Sequence, residues 1–148
     1  MQISSRFTLA VHIFACIDTF SKDQKVASQF LAGSTNVNPV IIRRLLSQLK
    51  AAGLVNVARG TGGATIAKPL NQITFLDIYR AVEGEKPLLH QDIHTNPECG
   101  VGINIQLSIG DFYREVQDAA ERKMQEITLR DIIEHYYEKA EIPESERL

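Results

Sequence analysis

Apolar positions along this chain recur at helical spacing for most of its length. Ser4 or Ser5 can cap a first helix running to about Thr19, with Phe7, Ala10, Val11, Phe14 and Ile17 on one face. After the polar turn "SKDQ", the stretch "KVASQFLAGS" reads as a short helix with Val26, Phe30 and Leu31 inward and Gly33 as its stop. "TNVNPVIIRRLLSQLKAAG" carries the clearest pattern. Asn38 is an N-cap, Pro39 takes the first helical position, where its missing N–H costs nothing, and Gly53 ends the helix. Ile41, Ile42, Leu45, Leu46 and Leu49 form its apolar stripe, and Val40, Arg43, Ser47 and, less squarely, Arg44 lie opposite.

The period then shortens to two. "LVNVA" and "ATIAK" read as short strands on either side of "RGTGG", a β-hairpin whose glycines permit the positive φ of a tight tip. Helical spacing returns in "ITFLDIYRAVEG", where Thr74 and Asp77 can form a capping box and Ile73 and Ile78 a hydrophobic staple. Residues 84–103 contain Pro87, Pro97, Gly100 and Gly102 and read as irregular. A long helix is expected from about Asn104 to Ile127, with Ile105, Ile109, Phe112, Tyr113, Val116, Ala120 and Met124 on one face that something must cover. "TLRDIIEHYYEK" closes the pattern, again with Thr128 and Asp131 set to cap, and the polar tail "IPESERL" reads as frayed.

Length and composition add bounds. At 148 residues, 44% hydrophobic and 23% charged, the chain suits one ordinary globular unit. No apolar run approaches the ~20 residues of a membrane span, and His12 and Asp18 interrupt the N-terminal apolar stretch, so a cytosolic protein with no membrane role is expected. Cys16 and Cys99 make neither a disulfide framework nor a CxxC pair. The net charge of −2 conceals an asymmetry: residues 1–70 carry +6 and residues 71–148 carry −8. A basic half joined to an acidic half fits a DNA-contacting module with a separate partner module, although uneven solvated charge would look the same.

The glycine-rich stretch "ARGTGGATIAKP" raises the question of phosphate. A Walker loop leads from a strand into a helix through GxxxxGK[ST]; here Gly60, Gly62 and Gly63 lead from strand to strand and no such lysine follows. The order helix, helix, helix, hairpin is that of a winged helix-turn-helix, with the third helix entering the major groove and the hairpin as the wing. The phosphate is then that of a double-stranded DNA backbone, with Arg59 able to reach a minor groove and Lys68 at the other end of the hairpin. No paired acids, Ser/His/Asp set or metal-ligand cluster supports an enzyme. The remaining alternative is a protein–protein adaptor that uses a winged helix without specific DNA binding.

"LSQLKAAGLVNVARGTGGATIAKPLNQITFLDIYRAVEG", together with "SRFTLAVHIFA", resembles the Rrf-two family of bacterial regulators, which includes the IscR, NsrR and CymR types. The similarity spans about residues 2–84. It implies a homodimeric transcription factor, usually a repressor, on a near-palindromic operator. The fold class expected is mainly α with a small β-hairpin: a winged helix-turn-helix module over residues 1–84, a loop and possible sensor region over 85–103, and dimerisation helices over 104–148. Carried onto this chain, the recognition helix is 38–52, with Asn38, Val40, Arg43, Arg44 and Ser47 as base readers. The wing is 59–63, with Arg59, Thr61, Gly62 and Gly63, and Ser28 and Gln29 would touch backbone. An arginine at 43 or 44 can bond bidentately to guanine or simply hold phosphate, and for Arg44, nearer the apolar stripe, phosphate is favoured. Ala64 departs from the family, which often has an aromatic residue after the glycines, and weaker wing packing is expected there.

Iron–sulfur members of the family carry three cysteines in the loop before the long helix. This chain offers only Cys99 in "LLHQDIHTNPECGVGINIQ", so no cofactor is expected and a cluster least of all. Zinc at His90, His94 and Cys99 is a weaker alternative to two solvated histidines. "NPECGVGINIQ" resembles the loop of YwnA-like members, some of whose relatives sense oxidants through single thiols. Cys99 is accordingly the sensor candidate, against the plainer reading of a small buried apolar residue. A small molecule held between the modules is the other signal considered. Cys16 and His12, one helical turn apart, read as packing residues.

Overall fold

A computed structural model describes residues 4–60 and 62–147. Six α-helices and one two-stranded sheet follow one another among these residues: α1 (Ser5–Phe20), α2 (Ser28–Thr35), α3 (Pro39–Ala51), β1 (Val55–Val57), β2 (Ala64–Ile66), α4 (Phe75–Glu83), α5 (Gly100–Glu126) and α6 (Leu129–Lys139). Short 3-10 turns occupy Leu70–Gln72 and Glu144–Glu146. None of the described helices is long and apolar enough to cross a membrane.

The local signals act where chain chemistry is self-contained. The Ser4 hydroxyl accepts from the Arg6 N–H and the Asn38 side chain from the Val40 N–H, so each satisfies a donor that the first helical turn leaves unpaired. Both capping boxes form: Thr74 with Asp77, and Thr128 with Asp131. Ile73 and Ile78 are both fully buried, as the staple requires.

Four expectations need correction. Helix α2 runs through Gly33 and ends instead at Asn36, which takes the left-handed conformation (φ 53°) and returns its N–H to the Ala32 carbonyl. Asparagine tolerates that conformation, so a glycine was not needed. Helix α5 begins at Gly100, four residues before the expected start, because the Cys99 sulfur accepts from the Gly102 N–H at 3.4 Å and the Asn104 amide donates to the Gly100 carbonyl at 2.7 Å. Ile41 is exposed, so the stripe of α3 narrows to Ile42, Leu45, Leu46 and Leu49. The tail also differs from a frayed end: Ile142 packs against the core and its carbonyl accepts from the Arg147 guanidinium at 3.0 Å.

One continuous core joins α1, α2, α3, the sheet, α4 and α6. Ile13, Phe14 and Ile17 of α1 meet Leu31, Leu45, Leu49, Ile78 and, from α6, Leu129, Ile133 and Tyr137. The two capping boxes are stitched together. The Phe75 N–H donates to the Ile127 carbonyl at 2.8 Å and the Leu129 N–H to the Ile73 carbonyl at 2.7 Å, an isolated antiparallel bridge between Thr74 and Thr128. Helix α5 stands apart from this core. It packs on α4 but has no buried residue.

Candidate nucleic-acid interface

Helices α2 and α3 and the hairpin enclose a cleft of about 440 Å³. Four of the residues singled out in the sequence line it from the helices: Ser28 and Gln29 at the start of α2, and Arg43 and Ser47 on α3. Gly63 lines it from the wing. The helices converge because the stripe of α3 and Leu31 and Ala32 of α2 are buried in the same core, leaving the opposite face of α3 free to solvent. Arg43, Arg44, Ser47 and Lys50 are all exposed. A hydrogen bond from the Arg6 guanidinium to the Gln48 side chain fixes α3 against the start of α1.

Lys50 also lines the cleft and was missed in the sequence. It could have been found, since it lies three residues after Ser47 and seven after Arg43, on the same helical face. Asn38, Val40, Arg44, Arg59, Gly62 and Lys68 lie outside this cleft lining. Asn38 is exposed with its side-chain oxygen committed to the Val40 N–H, leaving its amide N–H groups for a partner. Val40 is exposed at the start of α3, and Arg59, Gly62 and Lys68 are exposed around the hairpin. Thr61 lies outside the described residues.

The wing is docked to the body of the protein by backbone. The Ala58 N–H donates to the Gly63 carbonyl at 3.0 Å, closing the tip, and the Ala64 N–H donates to the Val26 carbonyl at 2.9 Å. Gly63 has φ 81°, and a Cβ there would sit 2.9 Å from the Val26 nitrogen. Ala64 is fully enclosed in the core. The small residue at 64 therefore goes with a wing held close to the α1–α2 linker, and the weak packing expected for it is not what the structure shows.

The second group of candidates lies in the segment before α5 and at its N-cap. Cys99 is exposed and caps α5; the plainer reading, a small buried apolar residue, fails. His90 and His94 are exposed too, and the described residues contain no group of three or more His, Cys, Asp or Glu able to hold a metal. Cys16 is buried, with its sulfur 3.2 Å from the Ser34 hydroxyl.

Comparison with known proteins bears on the whole chain. The model of the Rrf2 family, described as iron-dependent transcriptional regulator, matches residues 3–135. YwnA of Bacillus subtilis (strain 168), which carries the description HTH-type transcriptional regulator, is 36% identical over 136 residues, covering 92% of this chain and all of that one. A crystal structure described as that of a DNA-binding protein superposes with a TM-score of 0.70 at 33% identity, covering 87% of this chain and 99% of the other. CymR of B. subtilis, at 22% identity and a TM-score of 0.66 over 90% of this chain and 97% of its own, shares the fold.

The iron dependence in the family description can be set against the residues present. A cluster draws on about four ligands, mostly thiolate. One of the two cysteines is buried against Ser34 and the other caps a helix without a metal-holding neighbour set among the described residues. That donor set does not fit a cluster. With a family match over nearly its full length and a relative that it covers end to end, the chain belongs to the Rrf2 family of transcriptional regulators, a family of regulators and not of enzymes.

Proposed function

We propose that the protein is a homodimeric regulator that binds double-stranded DNA at a near-palindromic operator and acts as a repressor. The observation that carries the DNA reading is the α2–α3–wing cleft, where Ser28, Gln29, Arg43, Ser47 and Lys50 converge. Serine, glutamine and lysine at such a cleft hold phosphate, which positions the protein without selecting sequence. Arg43, at the middle of the exposed face of α3, is assigned to base reading, and Arg44 to phosphate. Asn38 and Val40 at the start of α3 are further base readers, since the N-terminal residues of a recognition helix meet base edges. Arg59, Thr61, Gly62, Gly63 and Lys68 form the wing contact.

Dimerisation is supported by the bare face of α5. Val101, Ile105, Phe112 and Val116 are exposed and fall within about 60° of one another on a helix of 100° per residue. Phe112 alone is 62% exposed. Isolated exposed apolar residues are ordinary, but a row of them along one helix is the mark of an interface. A two-fold pair would set two α3 helices on half-sites about one DNA turn apart, roughly 34–36 Å. Control through the exposed thiol of Cys99 or through a small ligand belongs to the same proposal.

The decisive variant is Arg43→Ala. Loss of a bidentate contact to guanine is worth about 1–3 kcal/mol of discrimination. Operator affinity should fall by that amount while affinity for random duplex falls much less, as read by fluorescence anisotropy. Equal losses on both DNAs would remove Arg43 from base reading.

A further inference from the structure

The wing stands between two recesses. One is the cleft it forms with α2 and α3. The other, of about 280 Å³, lies between the wing and the turn that joins α1 to α2. Val26 and Ala64 line both, and the hydrogen bond from the Ala64 N–H to the Val26 carbonyl, 2.9 Å long, closes the seam between them. We propose that the second recess is a further contact site for duplex DNA, in which the Lys25 ammonium holds a backbone phosphate. This contact rests on the proposed DNA binding and extends it to the far side of the wing.

The Lys25 backbone is fixed against the wing. A Cβ on Gly63 would stand 3.4 Å from the Lys25 Cα and 3.3 Å from its carbonyl carbon. Lys25 directly precedes the buried Val26 and comes three residues before Ser28 of the cleft. Its side chain is exposed, and among the described residues it enters no ion pair and no side-chain hydrogen bond. Lys22 and Asp23 share the recess, so two ammonium groups face one carboxylate there. Lys22 is partly answered within the protein, where its charge acts on the half-buried carboxylate of Asp18. Gln24 and Thr65 add uncharged hydrogen-bonding groups.

A hairpin that enters a minor groove, roughly 6 Å wide, has a phosphate strand on either side. Ser28, Gln29 and Lys50 meet the strand on the cleft side, and Lys25 meets the one beyond the wing. One exposed ammonium binds a lone phosphate weakly in water. The ligand is therefore a duplex that the cleft already holds. Such a contact sets the protein's position on DNA and carries no sequence information.

The test measures affinity against salt by fluorescence anisotropy, on a duplex that the full chain selects from a random pool. The wild type should lose affinity steeply as salt rises. In Lys25→Ala the slope of log K against log salt should flatten by about 0.9 for each chain bound, as for one phosphate left unneutralised. Affinity for the selected and for random duplex should fall by the same factor. Lys25→Arg, which keeps the charge, should restore the slope, and Lys139→Ala, in α6, should leave it unchanged. An unchanged slope in Lys25→Ala, on a duplex that the wild type does select, would overturn this contact and leave the proposed function standing. So would an equal flattening in Lys139→Ala, which would make the effect one of overall charge. Selection of no duplex by the wild type would overturn both.

Discussion

Gly63 carries two constraints that a phosphate-contact reading alone does not reveal. Its φ of 81° favours glycine, and the backbone of Lys25 and Val26 crosses where a side chain would begin. Gly63→Ala should therefore lift the wing from the body and lower both thermal stability and DNA affinity. A variant with an unchanged melting temperature would contradict that constraint. Asp18 offers a second prediction. Its carboxylate accepts from the Tyr137 hydroxyl at 2.9 Å, yet burial pushes its pKa above the ordinary value, with that hydrogen bond and the charge of Lys22 pulling the other way. A carboxyl raised in the folded state favours folding most below its unfolded pKa, and the benefit is lost as pH rises through the folded value. Asp18→Asn can still accept from Tyr137 and has no such loss. The variant should gain stability relative to wild type between acidic and neutral pH in urea melts, and a constant difference would refute the assignment.

At the scale of elements, what was legible is what depends on a few adjacent residues. Asn38 with Pro39, Thr74 with Asp77 and Thr128 with Asp131 start their helices where the sequence places them, because a cap is satisfied within one turn. The misread points are glycines that stay inside helices. Gly33 was not the stop of α2, since Asn36 and its N–H to Ala32 supply one further on. Gly100 and Gly102 did not break α5. Gly102 instead leaves room for the Thr95 methyl, which a Cβ there would strike. The apolar face of α5, read as one, is two. Ile109, Tyr113, Ala120 and Met124 are half-buried, while Ile105, Phe112 and Val116 are exposed. The paired caps at Thr74 and Thr128 lie on the backbone bridge between the N-terminal unit and α6. Thr128→Ala should cost about 0.5–2 kcal/mol in equilibrium unfolding; no measurable loss would mean that the bridge alone holds the junction.

For the whole molecule, the segregation of +6 in residues 1–70 from −8 in the remainder places the cleft in the basic half and α5 in the acidic one. The resemblance carried by the hairpin and α4 was enough to indicate the family, and the charge asymmetry pointed to DNA. The groove between α1 and α6 is not legible in the sequence, because its walls come from residues as distant as Phe7 and Tyr136. The bare face of α5 predicts that Phe112→Asp converts a dimer to a monomer in sedimentation at micromolar concentration and leaves the helical content unchanged. A dimer that survives the substitution would move the interface elsewhere. DNA binding should weaken steeply with salt, as release of counterions from phosphate demands, and an adaptor that does not bind DNA specifically would show no preferred sequence.

The most direct measurement is selection of bound sequences from a pool of random duplex DNA by the full chain, followed by the same selection with Arg43→Ala. Enrichment of a two-fold symmetric site, with half-sites about one turn apart and with the preference at one base pair relaxed in the variant, is the predicted result. Retention of duplex with no sequence enriched would contradict the account at its centre.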